Sequence, residues 1–402
     1  FFIAPLPFIE THIDALNMEI QAQLPGRKLT ITQQIWLNMC LTGILLTNTV
    51  NWKAFERAGL GEYKAKAISW MFRYSKLLWD NLLKVSLSLV LRRLGVMEGT
   101  LVIDDTDHQR SKRTKRIWGT HKIFDKKTGG YFNGQSIVFL LLVTPKITIP
   151  VGFRFYRPDP ARAEWEKEDA RLKKAGIGKS QRPAEPLFNP KYPNKSQQAL
   201  DLIREFRQQH SQITVKAVLA DGLFASQEFM DEASDLCNNV QIISKLKKNQ
   251  KILSRGREWT LTDYFDNHQA VTKQIVVRGG EKVELLVNSA RLYVCAHGKK
   301  RFVIAMKFPN EKEYRFVVAT ELSWRTEDII QIFTLRWLVE VFFEDWKLYE
   351  GWGQMAKQWD EDGSTRSLIL SLLLDHALLL HPEQLARLEN NLPMCTVGSL
   401  RQ

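Results

Sequence analysis

The spacing of apolar residues changes near residue 98, and this change limits the fold more than any other feature of the chain. Before it, Leu29–Asn48 and Ala67–Leu94 are rich in Leu, Ile, Met and Trp, with polar residues recurring at helical intervals. Gly59-Leu60-Gly61 reads as a turn between these two stretches. After Gly99 the apolar residues come instead in short runs of the kind that form buried strands. Leu101-Val102-Ile103 ends on Asp104-Asp105-Thr106-Asp107, and Val215–Ala220 ends on Asp221-Gly222. Between them, Ser136–Val143 and Ile147–Phe155 read as two strands around a turn at Pro145, and Pro150 confines the second to a sheet edge or breaks it. Glu164–Lys174 predicts a charged helix and Ser196–Gln209 an amphipathic one, separated by a loop with Pro183, Pro186, Pro190 and Pro193. Ser226–Ser234 predicts another helix and Val240–Ser244 another strand. Elements in this order imply an α/β layer with a mixed sheet.

From residue 246 to about 320 helical periodicity is lost again. Gln274–Val277, Val283–Val287, Arg291–Ala296, Phe302–Lys307 and Arg315–Ala319 are strand-like runs between turn signals such as Gly279-Gly280 and Pro309-Asn310. One long helix follows, with Thr326 expected as its N-cap, Glu327 and Asp328 in its first turn, and its end near Gly351. The expected layout is a helical N-terminal domain over 1–97, an α/β core over 98–245 and 322–375, a β-rich insertion over 246–321, and a C-terminal helical tail over 376–402.

Of the 402 residues, 57 are Lys or Arg and 44 Asp or Glu, a net charge of +13 that points to a polyanionic partner, nucleic acid above all. Some basic proteins carry such charge only as a solvated surface. Wholesale disorder is excluded by 44% hydrophobic residues. No apolar run approaches the roughly 20 residues of a bilayer span. The four cysteines, Cys40, Cys237, Cys295 and Cys395, form no C-x-x-C pair, which fits a reducing cytoplasm. The chain opens on Phe1 rather than Met and shows no secretory pattern, so no signal peptide is expected.

Asp104 and Asp221 stand at the carboxyl ends of apolar strands, where α/β folds place ligands, although an Asp there is also a common first residue of a turn. On the long helix, Phe333, Arg336, Glu340 and Lys347 fall within roughly 60° of one another. That stripe is either a helical salt-bridge ladder or a metal-binding carboxylate between two phosphate-holding cations. Asp104 and Asp105 point to opposite faces of an extended strand, so only one of them can face a site formed with this helix. The stretch His108–Lys127 holds Arg110, Lys112, Arg113, Lys115, Arg116, Lys122, Lys126 and Lys127 against one acid, Asp125, and is either a solvated loop or a clamp on a nucleic-acid backbone. Lys245, Lys247, Lys248 and Lys251 form a second basic cluster. Trp259 and Trp324 are core residues by type, with base stacking as the alternative, and the histidines show no metal-binding spacing.

Phe333-x2-Arg336-x3-Glu340-x6-Lys347 resembles the Y-x2-R-x3-E-x6-K signature of the cut-and-paste DDE transposases of bacterial insertion sequences. Asp104-Asp105-Thr106 resembles their first-Asp motif, and Asp221-Gly222-Leu223-Phe224 their second. The likeness runs from about residue 99 to 375, and it departs at Phe333, which lacks the hydroxyl of the signature Tyr. The resemblance implies an RNase H-like core in which Asp104, Asp221 and Glu340 bind two Mg²⁺ or Mn²⁺ ions. The D-x-T spacing favours Asp104 over Asp105. It also implies double-stranded DNA as partner, both transposon ends and target, with phosphate contacts from Arg336, Lys347, Arg113, Lys115 and Arg116 and end binding by the N-terminal domain. A synaptic homodimer in the bacterial cytoplasm, at the nucleoid and without membrane contact, would complete the picture. A nuclease of the same architecture that cuts without joining, and a non-catalytic DNA-binding descendant, are the rival readings.

Overall fold

The strand that begins at Glu98 does not stop at the first aspartate. In the computed structural model, which describes residues 4–59, 63–111, 116–125, 128–276, 280–309, 311–353 and 358–401, β1 spans Glu98–Gln109. Its pairing with β5 (Thr214–Ala220), parallel, ends at Ile103, opposite Ala220. Its antiparallel pairing with β3 (Gly130–Val143) continues to Gln109, which holds the backbone extended past Asp104. The strand is therefore longer than its apolar run Leu101–Ile103: at Ile103 one edge loses its partner and the other does not.

Around this pair a twelve-stranded sheet forms. β2 (His121–Asp125) and the edge strand β4 (Thr148–Tyr156) both lie on β3, and the β4 register slips at Pro150, as its missing N–H demands. Beyond β5 come β6 (Gln241–Leu246), parallel, then β12 (Arg315–Ala319), β11 (Lys299–Lys307) and β10 (Lys282–Val294), all antiparallel. β9 (Val271–Val276) and the hairpin β7 (Lys251–Ser254) and β8 (Arg257–Thr260) complete it on β10. The run Val283–Val287 and most of Arg291–Ala296 are thus one strand, because the β11 backbone pairs across the polar residues between them: Asn288 lies opposite Ala305 and Ser289 opposite Ile304. The β7–β8 hairpin turns on Arg255-Gly256, both left-handed, a two-residue turn hidden from hydropathy by its charged strands. The β-rich segment is accordingly continuous with the core sheet through the β6–β12 pairing.

Alternation along the strands sends side chains to two covered faces. Leu101, Ile103, Val218 and Ala220 pack with α7 (Lys195–Gln209) and α8 (Gln227–Leu236). Val102, Phe139 and Leu219 face the N-terminal helices α1 (Pro7–Gln23), α2 (Ile31–Thr47), α3 (Trp52–Arg57), α4 (Ala65–Tyr74) and α5 (Trp79–Arg93). The same face receives α10 (Thr326–Phe333), α11 (Trp337–Tyr349) and α12 (Glu361–Leu379). The peripheral helices are α6 (Pro160–Lys174), α9 (Leu261–Asp266), α13 (Pro382–Glu389) and α14 (Val397–Leu400).

The N-terminal helices do not stand apart from the rest. They share one core with α12, which is buried nearly all round, and the expected boundary at 375/376 falls inside that helix. His12 of α1, Ser86 of α5, His376 of α12 and the Pro150 carbonyl of β4 form one buried chain of polar contacts. Burial, then the neighbouring His376, pushes His12 down to about 3, and burial pushes His376 down to about 4, so both rings are neutral. Among the described residues no single helix is long and apolar enough to cross a membrane.

The long helix expected over Thr326–Glu350 is broken. α10 is followed by a 3₁₀ turn at Thr334–Arg336 and then by α11, and Arg325, not Thr326, is the N-cap. The tighter turn sets residues three apart one above the other. It brings Arg336 under Phe333 and inward, where both are buried.

Candidate active site

The parity of β1 decides which aspartate meets α11. Asp104 and Thr106 share the face of Val102 and point to α11, whereas Asp105 points to the α7 side, where its carboxylate pairs with Lys195 at 2.5 Å. Asp221 follows β5 on the same face as Leu219, beside Asp104 on the adjacent parallel strand. Three carboxylates from distant segments meet at one guanidinium: Arg336 lies 3.0 Å from Asp104, 3.7 Å from Asp221 and 2.5 Å from Glu340. Asp104 is the buried floor of this group, while Asp221 and Glu340 are partly exposed at its rim.

Lys347, three turns further on, donates to Thr106 Oγ1 at 2.5 Å and to the Asp107 carbonyl at 3.1 Å. Burial pulls its ammonium below the ordinary lysine value, with Asp107 opposing. The two cations were expected to reach for phosphates, but both are turned inward, because buried carboxylates and strand-edge oxygens claim their donors. Arg116, midway along the basic stretch, is exposed, and Arg113 and Lys115 lie outside the described residues.

Electrostatics separates the two aspartates. Burial pushes the Asp104 carboxyl up to about 7, repulsion from Asp221 adds to this, and Arg336 only partly opposes it. For Asp221, burial also raises the carboxyl, but Lys245 at 3.0 Å, Arg336 and the Gly222 N–H outweigh burial and hold it below the ordinary value. Sequence reasoning placed Lys245 in a basic cluster and missed this pairing. β5 and β6 run parallel with Leu219 opposite Ile243, so Asp221, just past β5, meets Lys245 near the end of β6.

Among the described residues no three His, Cys, Asp or Glu side chains are grouped as ligands of one metal ion, since Arg336 bridges the acids. Their chemistry nevertheless suits one. All donors are hard carboxylate oxygens, the type that binds Mg²⁺ or Mn²⁺. Three carboxylates share Arg336, with one further cation, Lys245, on Asp221, so the group carries more acids than cations.

Comparison with known proteins agrees with the sequence resemblance. The chain belongs to the DDE superfamily endonucleases, whose model matches residues 32–264, more than half its length. A transposase DDE domain model matches residues 185–372. The protein is therefore a DNA-cleaving, transposase-like nuclease, of a superfamily whose nucleases generally depend on divalent metal. No curated protein matches. Among solved structures, endonuclease V from Ciona intestinalis, in complex with a 24mer DNA containing an inosine followed by a ribo-adenosine, is similar at 8% identity and TM-score 0.24 over 65% of this chain and 89% of that one. The NurA nuclease from Sulfolobus solfataricus is similar at 9% identity and TM-score 0.22 over 77% and 95%. At such scores neither carries an argument about this site.

Proposed function

We propose that the chain is a transposase that binds the terminal inverted repeats of its own element, cleaves the phosphodiester at each end and joins the freed 3′-hydroxyls to target DNA. The observation that carries this reading is the meeting of Asp104, Asp221 and Glu340 at Arg336, on one face of the sheet. The five strands β4–β3–β1–β5–β6, with both aspartates on adjacent parallel strands, are the part of the sheet that would form the RNase H-like core. The expected roles stay with this reading: DNA binding by residues 1–97, catalysis by 98–245 and 322 to the end of α12, and a synaptic homodimer at the bacterial nucleoid.

Asp104, Asp221 and Glu340 are the residues that would hold two Mg²⁺ or Mn²⁺ ions, which when bound supply an activated water or 3′-hydroxyl and stabilise the leaving oxygen. Lys245 keeps Asp221 ionised. Arg336 gathers the three acids and offsets their repulsion, and Lys347 pins β1 two residues beyond Asp104. Arg113, Lys115 and Arg116, in the stretch that follows β1, would add phosphate contacts.

The test is incubation with DNA carrying the flanking inverted repeats and Mg²⁺. Cleavage at the repeats followed by joined product supports the proposal. Cleavage without joining leaves the nuclease reading, which the endonuclease description of the family favours. Cutting that persists in EDTA overturns the metal mechanism.

A further inference from the structure

Helix α4 buries one side and leaves the other unpartnered. Ile68 and Phe72 enter the core. Lys66, Trp70, Arg73 and Tyr74 lie within about 100° of one another on the opposite side. From Tyr63 to Leu78 the chain carries Lys64, Lys66, Arg73 and Lys76 and no acid. Trp70 is 57% exposed and Tyr74 67%, with ring centroids 6.0 Å apart. A third ring joins them from the other end of the chain: Trp359, 69% exposed, has the Arg73 guanidinium 5.4 Å from its centroid. Three large exposed rings on one cationic patch mark a binding surface rather than scattered surface residues.

Three of the nearby acids are engaged, while Glu361, two residues past Trp359, is exposed. Asp360 caps α12 by accepting from the Gly363 N–H at 2.6 Å, Asp362 pairs with Arg366 at 3.2 Å, and Glu56 lies 4.0 Å from Lys64. The patch is also held in place. Arg366 of α12 donates to the Phe72 and Arg73 carbonyls at 3.2 and 3.0 Å, at the end of α4. A backbone contact also ties it to the segment that follows β1. The Trp118 N–H, in the basic stretch that follows β1, donates to the Gln358 carbonyl at 2.9 Å, next to Trp359. Trp352, on the connection leaving α11, stacks on Trp346 at 4.8 Å and lies under Arg110 at 5.3 Å.

We propose that this face binds an unpaired stretch of DNA beside the cleavage site, with bases stacked on Trp70, Tyr74 and Trp359 and phosphates held by Lys66 and Arg73. The inference rests on the reading of the chain as a DNA-cleaving enzyme. A paired duplex turns only base edges and backbone outward, which would satisfy the cations and leave the ring faces wet. Unpaired bases cover both.

The experiment uses the full chain in EDTA, comparing by anisotropy a blunt duplex with the same duplex carrying an unpaired tail of about eight nucleotides, within the usual site size for such binding. The wild type is expected to bind the tailed DNA more tightly. Trp70→Ala and Trp359→Ala should each lose about tenfold of affinity for the tail, the size of one lost stacking contact, and leave the blunt duplex unaffected. Lys66→Gln and Arg73→Gln should each lower the slope of log affinity against log salt by about 0.7 on the tail. All four residues are at the surface, and unchanged circular dichroism checks the fold. No preference for the tail, or equal losses on both DNAs, overturns the proposal. So does a changed sedimentation coefficient with unchanged DNA affinity, which would make the face a contact between copies of the chain. Normal Mg²⁺-dependent cutting without tail preference removes this surface alone, whereas absence of any binding and cutting by the wild type removes the proposed function.

Discussion

Among the described residues, two groups of clustered acids differ in their counter-charge. Asp104, Asp221 and Glu340 surround Arg336, with Lys245 beside Asp221. Glu350, at the end of α11, and Asp375, on α12, face each other in the core, and among the described residues no cation pairs with either. Asp345 lies near this pair, its carboxylate capping α14 through the Val397 N–H at 2.7 Å. Burial, with the neighbouring acids adding to it, raises Glu350 well above the ordinary value, and burial pushes Asp375 up to about 8. Neither Glu350 oxygen has a hydrogen-bond partner among the described residues, and burial favours the protonated carboxyl. The pair takes a proton where the trio takes a guanidinium. Burial alone makes an acid neutral. Burial with fixed cations at one rim keeps Asp221 charged and leaves Asp104 poised to become so.

The largest effect should come from neutralising the trio. Asp104→Asn, Asp221→Asn and Glu340→Gln should each lower single-turnover cleavage by at least about a hundredfold while DNA binding persists, since even outer partners of metal ligands cost 10–100-fold. Glu350→Gln and Asp375→Asn should leave the rate within a few fold. A comparable loss in both sets would erase the distinction between site and core.

Next in size is the pH dependence of stability. Between the ordinary carboxylate range and about pH 8 the native state keeps a proton on Asp375 that the unfolded chain has released. Stability should therefore fall as pH rises across that window and level off above it. Asp375→Asn should flatten the decline and raise the melting temperature at pH 8 by a few degrees, read by thermal melts from pH 5 to 9. A slope unchanged by the substitution would show that the pair does not hold the proton.

A smaller effect should appear in metal binding. Asp104 must lose its proton to act as a ligand, so apparent Mn²⁺ affinity should rise about tenfold per pH unit below pH 7 and flatten above it. Titration calorimetry in two buffers would detect the released proton. Asp104→Asn should abolish the pH dependence, and Asp375→Asn should not touch it.

The smallest contrast lies within β1. Asp105→Asn removes only the pair with Lys195 on the α7 face, and should cost on the order of 1 kcal/mol in stability with the cutting rate nearly unchanged. A rate loss equal to that of Asp104→Asn would move the floor of the site one residue along.

Much was legible locally. The period of two in a strand separates Asp104 from Asp105, and helical spacing puts Glu340 and Lys347 on one side of α11. The apolar runs before Asp104 and Asp221 mark their strands as buried, because only continuous apolar sequence can be covered on both faces. These properties depend on neighbours in sequence, so the sequence by itself determined them. Strand ends were less legible. Whether β1 stops at Ile103 depends on β3, and whether Val283–Val287 and Arg291–Ala296 join depends on β11, partners that no local window contains.

Tertiary structure alone decided the rest. The turn of helix at Thr334–Arg336 carries Arg336 into the acids instead of toward solvent. The adjacency of β5 and β6 brings Lys245 to Asp221. The shared core of α12 with the N-terminal helices makes one body of segments that composition had divided. The pairing of Arg73 with Trp359 joins two ends of the chain on one surface. A charge or a ring acts through space, and its partner is set by which segments pack together, a choice made by the whole hydrophobic core and not by any stretch of sequence.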